Sequence, residues 1–223
     1  CSSDLAERDP EIDVLVVTGT GETFCVGGEM GDQHEGGALM DRFTDSLDLT
    51  PFVQLERCPK TVVMAINGGC QGGGLVMTLM SDVSIVSDRA RFRVPELLRG
   101  VADCYLGARL AARIGVARAK YLLFTAQYFS AREAWDMGLV SRVVPHEQLL
   151  AEATKLAREI AAGPPVALAQ IKTLLNKSST STFDQMLEYE SYAQTIAYIT
   201  PEHKEGVAAF REKRAPKFRQ PGE

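Results

Sequence analysis

Thr61-Val-Val-Met-Ala-Ile-Asn-Gly-Gly-Cys-Gln-Gly-Gly-Gly-Leu-Val-Met77 runs from an apolar stretch of β type through Asn67 into five glycines and then into a helical pattern. Glycine carries no Cβ to hold a ligand away from the main chain, and the helix that follows directs unpaired N–H groups and the positive end of its dipole at the turn. Such a turn stabilises negative charge, either a phosphate or the oxyanion of a reacting carbonyl. The phosphate motifs fail on detail. A P-loop needs Gly-Lys followed by Ser or Thr, whereas Gly74 is followed by Leu75 and Val76. A dinucleotide fingerprint needs a third glycine where Gly19-Thr-Gly21 is followed by Phe24.

A second turn of the same kind lies upstream. Ile12-Asp-Val-Leu-Val-Val-Thr-Gly19 reads as a buried strand of parallel type and leads to Phe24-Cys-Val-Gly-Gly-Glu-Met30, another strand exit with bare glycine amides. Two amide-donating turns are the requirement of an oxyanion hole. On these residues the chain resembles the enoyl-CoA hydratase/isomerase family, or crotonase superfamily. Thr18 to Glu29 matches the family pattern T-G-x-G-x-x-F-C-x-G-x-D, and Ala65 to Gly74 matches A-x-N-G-x-x-x-G-G-G. The resemblance continues through Asp82–Ser87, Phe92-Arg-Val-Pro-Glu96, Ser130–Val144 and Glu205–Arg214, nearly the whole chain.

The resemblance implies an α/β fold with a crotonase-like ββα spiral core over 1–145 and a C-terminal all-helical oligomerisation module over 146–223. It also implies that the family's opening strand, loop and helix, in a subunit of about 260 residues, would precede the segment that begins here. Carried over by motif, the thioester oxygen of an acyl-CoA would be held by the N–H groups of Gly28 and Gly73. Of the two glutamates that family hydratases use, the first position is Val76 and the second is Glu96, in Val94-Pro-Glu96. A valine moves no proton, so the resemblance favours double-bond isomerisation with Glu96 as the shuttle from C2 to C4.

Asp103 follows Glu96 at nearly the spacing at which dienoyl-CoA isomerases and a dehalogenase branch of the family place an aspartate. It is equally an N-cap for a helix beginning near Tyr105. The alternatives therefore stay open: a hydratase or dehydratase using Glu96 with Asp103, a thioester hydrolase, decarboxylase or dehalogenase using Asp103, or a non-catalytic acyl-CoA binding protein. For the cofactor moiety, the resemblance implies that Val26, Glu29 and Met30 line the CoA channel, and that Phe210 and Lys213 reach a CoA, often that of a neighbouring subunit. Glu29 stands where the family usually has aspartate. A homotrimer or dimer of trimers is expected.

Composition fits one soluble globular unit of 223 residues, 45% hydrophobic and 24% charged. No stretch approaches the ~20 uninterrupted apolar residues of a membrane span, and the start lacks a signal-peptide layout, so the cytoplasm is expected. A net charge of −5 argues against nucleic-acid binding. Five scattered cysteines read as reduced thiols, and His34, His146 and His203 lie far apart, so neither a metal nor a cofactor beyond the substrate's CoA is expected.

Strands are predicted at 12–18, 61–66, 82–87 and 139–144, with helices after the glycine turn and over 105–124. Ser130-x-x-Glu133 and Thr182-x-x-Gln185 have capping-box form. Helices are predicted over 146–162, 166–177, 183–198 and 201–214, the last opened by Thr200-Pro201. Leu187, Ala193, Ile196 and Ala197 recur at near-helical spacing, as a subunit interface or as packing on the chain's own core.

Overall fold

Val62, Val63, Met64, Ala65 and Ile66 are completely buried, and the strand they form is the axis of the fold. The computed structural model describes residues 6–27, 50–102 and 106–218. Its strands are β1 (Val14–Thr18), β2 (Thr23–Cys25), β3 (Thr61–Ile66), β4 (Gly69–Gln71), β5 (Val83–Ser87), β6 (Arg91–Arg93), β7 (Phe129–Ser130) and β8 (Arg142–Val144). They form two four-stranded sheets, ordered β1-β3-β5-β8 and β2-β4-β6-β7. The first is wholly parallel; the second is parallel except for the antiparallel pair β6 and β7. Each long strand of the first sheet is followed at once by a short strand of the second, so the chain climbs as a spiral of ββ steps separated by helices.

The helices are α1 (Thr50–Arg57), α2 (Gly73–Met80), α3 (Leu106–Ile114), α4 (Val116–Thr125), α5 (Ala131–Asp136), α6 (Leu149–Ala161), α7 (Pro165–Ser178), α8 (Phe183–Ile199) and α9 (Pro201–Glu212). The period-2 alternation of a strand divides the side chains of β3 between two cores. Val62, Met64 and Ile66 join Leu75, Leu79, Phe92, Leu106 and Leu110 in the larger cluster between the sheets and α2 to α5. Val63 and Ala65 meet Ile85, Leu149 and Ala153 on the other face, under α6. The all-helical stretch thus begins with a helix packed on the first sheet.

The second sheet differs from expectation. No strand is predicted over 91–93, yet Arg91–Arg93 pairs with β4 and β7. Strands of two or three residues carry no periodicity, and only their neighbours make them strands. The helix predicted over 105–124 is two helices, broken at Gly115, whose φ of 83° no continuous helix accepts. Both capping boxes are present, at Ser130 with Glu133 and at Thr182 with Gln185. Helix α8 buries no residue fully; Leu187 and Ile196 are exposed. Among the described residues, no helix is long and apolar enough to cross a membrane.

Candidate active site

The glycine turn is held open by hydrogen bonds from both of the strands that lead to it. Asn67, at the end of β3, accepts from Gly19 N–H through Oδ1 at 3.1 Å and donates through Nδ2 to the Gly21 carbonyl at 2.7 Å. Thr18 Oγ1 donates to the Ala65 carbonyl at 2.8 Å. These bonds lock the exit of β1 to the exit of β3. Beyond β4, Gly72 turns the chain into α2 with φ 47° and ψ −114°, and its carbonyl accepts from Leu75 and Val76 N–H. No side chain caps α2. The Gly73 N–H therefore precedes the first of these helical bonds and is among the amides that a helix start leaves without an intrahelical partner.

Close packing explains why several of these residues are glycine. A Cβ on Gly19 would strike the Thr23 carbonyl, one on Gly68 the Glu22 carbonyl, and one on Gly74 the Cys25 carbonyl. The two strand exits are pressed together with no room for side chains between them. Gly27, with φ 97°, faces Gly73: a Cβ on Gly27 would lie 3.5 Å from the Gly73 nitrogen. The absence of that carbon leaves the space beside this amide clear.

Glu96 opens a single turn of 3-10 helix, Glu96–Arg99, closed by Gly100 in the left-handed conformation. Its carboxylate lies on the glycine turn: Oε1 falls where a Cβ on Gly72 would collide with it, and Oε2 is withdrawn from solvent. The turn and the acid are also joined through the main chain, since Gly72 N–H donates to the Arg93 carbonyl at 3.4 Å. Val76 is 4% exposed and belongs to the larger apolar cluster with Leu75 and Leu79. Cys70, beside them, is completely buried, and burial pushes its thiol up to about 12, against a weaker opposing contact from Thr78.

One residue of the candidate site escaped the reading of motifs. Phe52, on α1, brings its ring to 3.5 Å from the position of a Gly73 Cβ, and so forms a wall of the turn. The pair Thr50-Pro51, like Thr200-Pro201, signals the start of its helix. Asn67 stands in the motif matched over Ala65 to Gly74, and the structure adds its role: a side-chain amide closing a buried strand bridges two loops.

The expected CoA contacts are dispersed. Val26 follows β2 and is 55% exposed. Phe210 is exposed and borders a groove shared with Val166, Ala197, Val207 and Phe218 of the helical tail, while Lys213 caps the C-terminal end of α9 with φ 55°. Gly28, Glu29, Met30 and Asp103 lie outside the described residues. Among the described residues, no three His, Cys, Asp or Glu side chains are grouped to hold a metal ion.

Residues 4–221 match the family model described as enoyl-CoA hydratase/isomerase. A short-chain-enoyl-CoA hydratase of Clostridium acetobutylicum is 34% identical over 210 residues, covering 93% of this chain and 80% of that protein. The 1,2-epoxyphenylacetyl-CoA isomerase of Escherichia coli is also 34% identical, over 95% of this chain and 83% of its own length. The crystal structure of an enoyl-CoA hydratase from Bacillus anthracis superposes with a TM-score of 0.89 at 31% identity, over 98% of this chain and 86% of that one.

Proposed function

Because the chain belongs to the enoyl-CoA hydratase/isomerase family and has the crotonase fold, we propose that it acts on an enoyl-CoA thioester and shifts the double bond, with Glu96 as the proton shuttle. The observation that carries this reading is the asymmetry around α2. Glu96 lies on the turn, whereas Val76, one helical turn into α2, is packed into the apolar core. Addition of water calls for a second group to hold and activate it, and an aliphatic side chain offers none.

The thioester oxygen accepts a hydrogen bond from Gly73 N–H, and from Gly28 N–H as the second proposed donor. Charge developing on that oxygen is met by fixed amide dipoles at the positive end of α2, which acidifies the adjacent C2–H. Glu96 removes the C2 proton, the electron pair delocalises over the dienolate, and the same carboxyl returns a proton to C4. The double bond moves from C3–C4 to C2–C3 with no net gain or loss of atoms. Phe52 and the apolar cluster under Val76 keep competing water from the dienolate.

The test is mass spectrometry of 3-enoyl- and 2-enoyl-CoA substrates turned over in heavy water. Isomerisation gives the conjugated product with no added water, the hydrogen at C4 being the one carried from C2 or deuterium that has exchanged onto Glu96. Rapid gain of a water molecule by 2-enoyl-CoA would overturn the assignment in favour of a hydratase, and binding with neither exchange nor conversion would mark a non-catalytic acyl-CoA binding protein.

The chain is further proposed to assemble as a homotrimer or dimer of trimers, with Val26, Glu29 and Met30 along the CoA channel and Phe210 and Lys213 serving a CoA, often that of a neighbouring copy. Support comes from the helical tail, where Phe183, Leu187, Ile196, Ile199 and Phe210 are all exposed in the single chain. So many large apolar groups along two adjacent helices suit burial between subunits. Sedimentation analysis tests it: a monomer at micromolar concentration would rule it out.

A further inference from the structure

Lys172, on α7, is buried and far in sequence from the glycine turn, yet its ammonium stands at the root of both elements that meet there. Nζ donates to the Leu55 carbonyl at 3.0 Å, to the Lys60 carbonyl at 3.1 Å and to Asp82 Oδ2 at 2.8 Å. Three acceptors match the three donors of an ammonium group. Leu55 is in the last turn of α1, where carbonyls lack intrahelical partners and the helix dipole favours a cation. Lys60 immediately precedes β3. Asp82 closely follows α2, and its Oδ2 also accepts from Val62 N–H at 2.7 Å.

One turn further along α7, Asn176 Nδ2 donates to the Glu56 carbonyl at 3.2 Å, the next carbonyl of α1. Helices α1 and α2 thus lie side by side and point the same way. Phe52 meets Gly73 near their N-terminal ends, and α7 holds their C-terminal ends together.

We propose that Lys172 and Asn176 are positioning residues, through which the helical tail sets α1 against α2 and so holds Phe52 on the Gly73 turn. The proposal rests on the reading of Gly73 N–H as a donor to the thioester oxygen. Such a donor works only where the oxyanion forms, and a displacement of about 1 Å in reacting geometry can cost about 100-fold in rate. Binding of the CoA moiety does not depend on that distance.

The test is a pair of double-mutant cycles on the full chain, Lys172→Met and Asn176→Ala each combined with Phe52→Leu. Assays run well below the melting point of every variant, with hydrogen–deuterium exchange measured on the same samples. Lys172→Met is expected to lower kcat by about 10- to 100-fold, and Asn176→Ala by about 3- to 10-fold, with KM changed less than about threefold. Both losses should shrink to within about twofold once Phe52 is leucine, because the path to the turn is already cut. Exchange should quicken over 50–57 and 72–76 and stay unchanged in α6. Equal losses in both backgrounds, or unaltered exchange at 72–76 in a folded variant, would overturn the proposal. Should Lys172→Met fail to fold, the Asn176→Ala cycle decides alone. A wild-type chain that exchanges no C2 proton of 3-enoyl-CoA defeats the reading of Gly73 instead, and the exchange data then still decide whether α7 positions the turn.

Discussion

Glu96 Oε1 occupies the volume that a side chain on Gly72 would require. The acid is therefore laid directly on the residue that precedes α2, and the turn delivering the proposed amide donor lies in contact with the carboxylate delivering the proposed base.

Gly72→Ala tests that contact. The new methyl would strike Glu96 Oε1, and φ 47° with ψ −114°, a backbone conformation outside the left-handed helical region, costs on the order of 1–3 kcal/mol with any side chain. Turnover should fall by about 100-fold or more while the melting temperature drops by only a few degrees; steady-state kinetics and calorimetry measure the two. Full activity in the alanine variant would show that the carboxylate is free to sit elsewhere.

Glu96→Gln keeps the shape of the side chain and removes its basicity. Exchange of the C2 proton should fall by about 100-fold or more, with acyl-CoA affinity within a few-fold of wild type, as followed by proton NMR in heavy water and by titration calorimetry.

Val76→Glu restores a carboxylate at a position enclosed by the apolar cluster. An unpaired buried charge is expected to destabilise the fold by on the order of several kcal/mol, and hydration of 2-enoyl-CoA should remain absent. The appearance of hydratase activity would show that the pocket already admits and orients water.

Asn67→Ala breaks the bonds to Gly19 and Gly21 and leaves the N–H of half-buried Gly19 and the carbonyl of exposed Gly21 to find other partners. The expected loss is about 1–3 kcal/mol of stability by urea titration, accompanied by a fall in turnover, since the two strand exits are no longer registered.

Glu205 has a pH dependence of predictable sign. Its bonds from Arg214, with the Lys217 N–H adding to them, hold its carboxyl down to about 2. A folded pKa below the unfolded one means that the contribution is complete above the ordinary carboxylate range and is lost as the pH falls toward 2. Carbon-detected NMR should show the Glu205 carboxyl titrating near 2, returning to the ordinary range in Arg214→Ala. Burial pushes Asp82 the opposite way, against the pull of Lys172, so its contribution to stability declines as the pH rises through its elevated pKa.

Much of this architecture is legible in the chain, because its longer elements are written in extended patterns. The buried run Thr61–Ile66, the capping boxes at Ser130 and Thr182 and the proline start of α9 agree with the structure to within a residue or two. The second sheet is not legible, since Gly69–Gln71 becomes a strand only through its neighbours Thr23–Cys25 and Arg91–Arg93. In the site, Glu96 and Gly73 stand out through their motifs. Phe52 does not, because one aromatic in a short helix resembles any core residue until its partner is known. Lys172 reads as a solvated charge on a helix, and only the carbonyls of two distant segments show that it is buried.

The amide of Gly73 has a consequence for how such a protein changes over time. A side-chain donor vanishes with one codon; a main-chain donor persists through every non-proline replacement and is altered only by moving the scaffold. On the proposed reading, the means of holding an oxyanion is inherited with the backbone, whereas the identity of the reaction would rest on a few replaceable side chains such as those at 76 and 96. A lineage built this way can exchange one chemistry for another by point mutation and keep its activating machinery throughout.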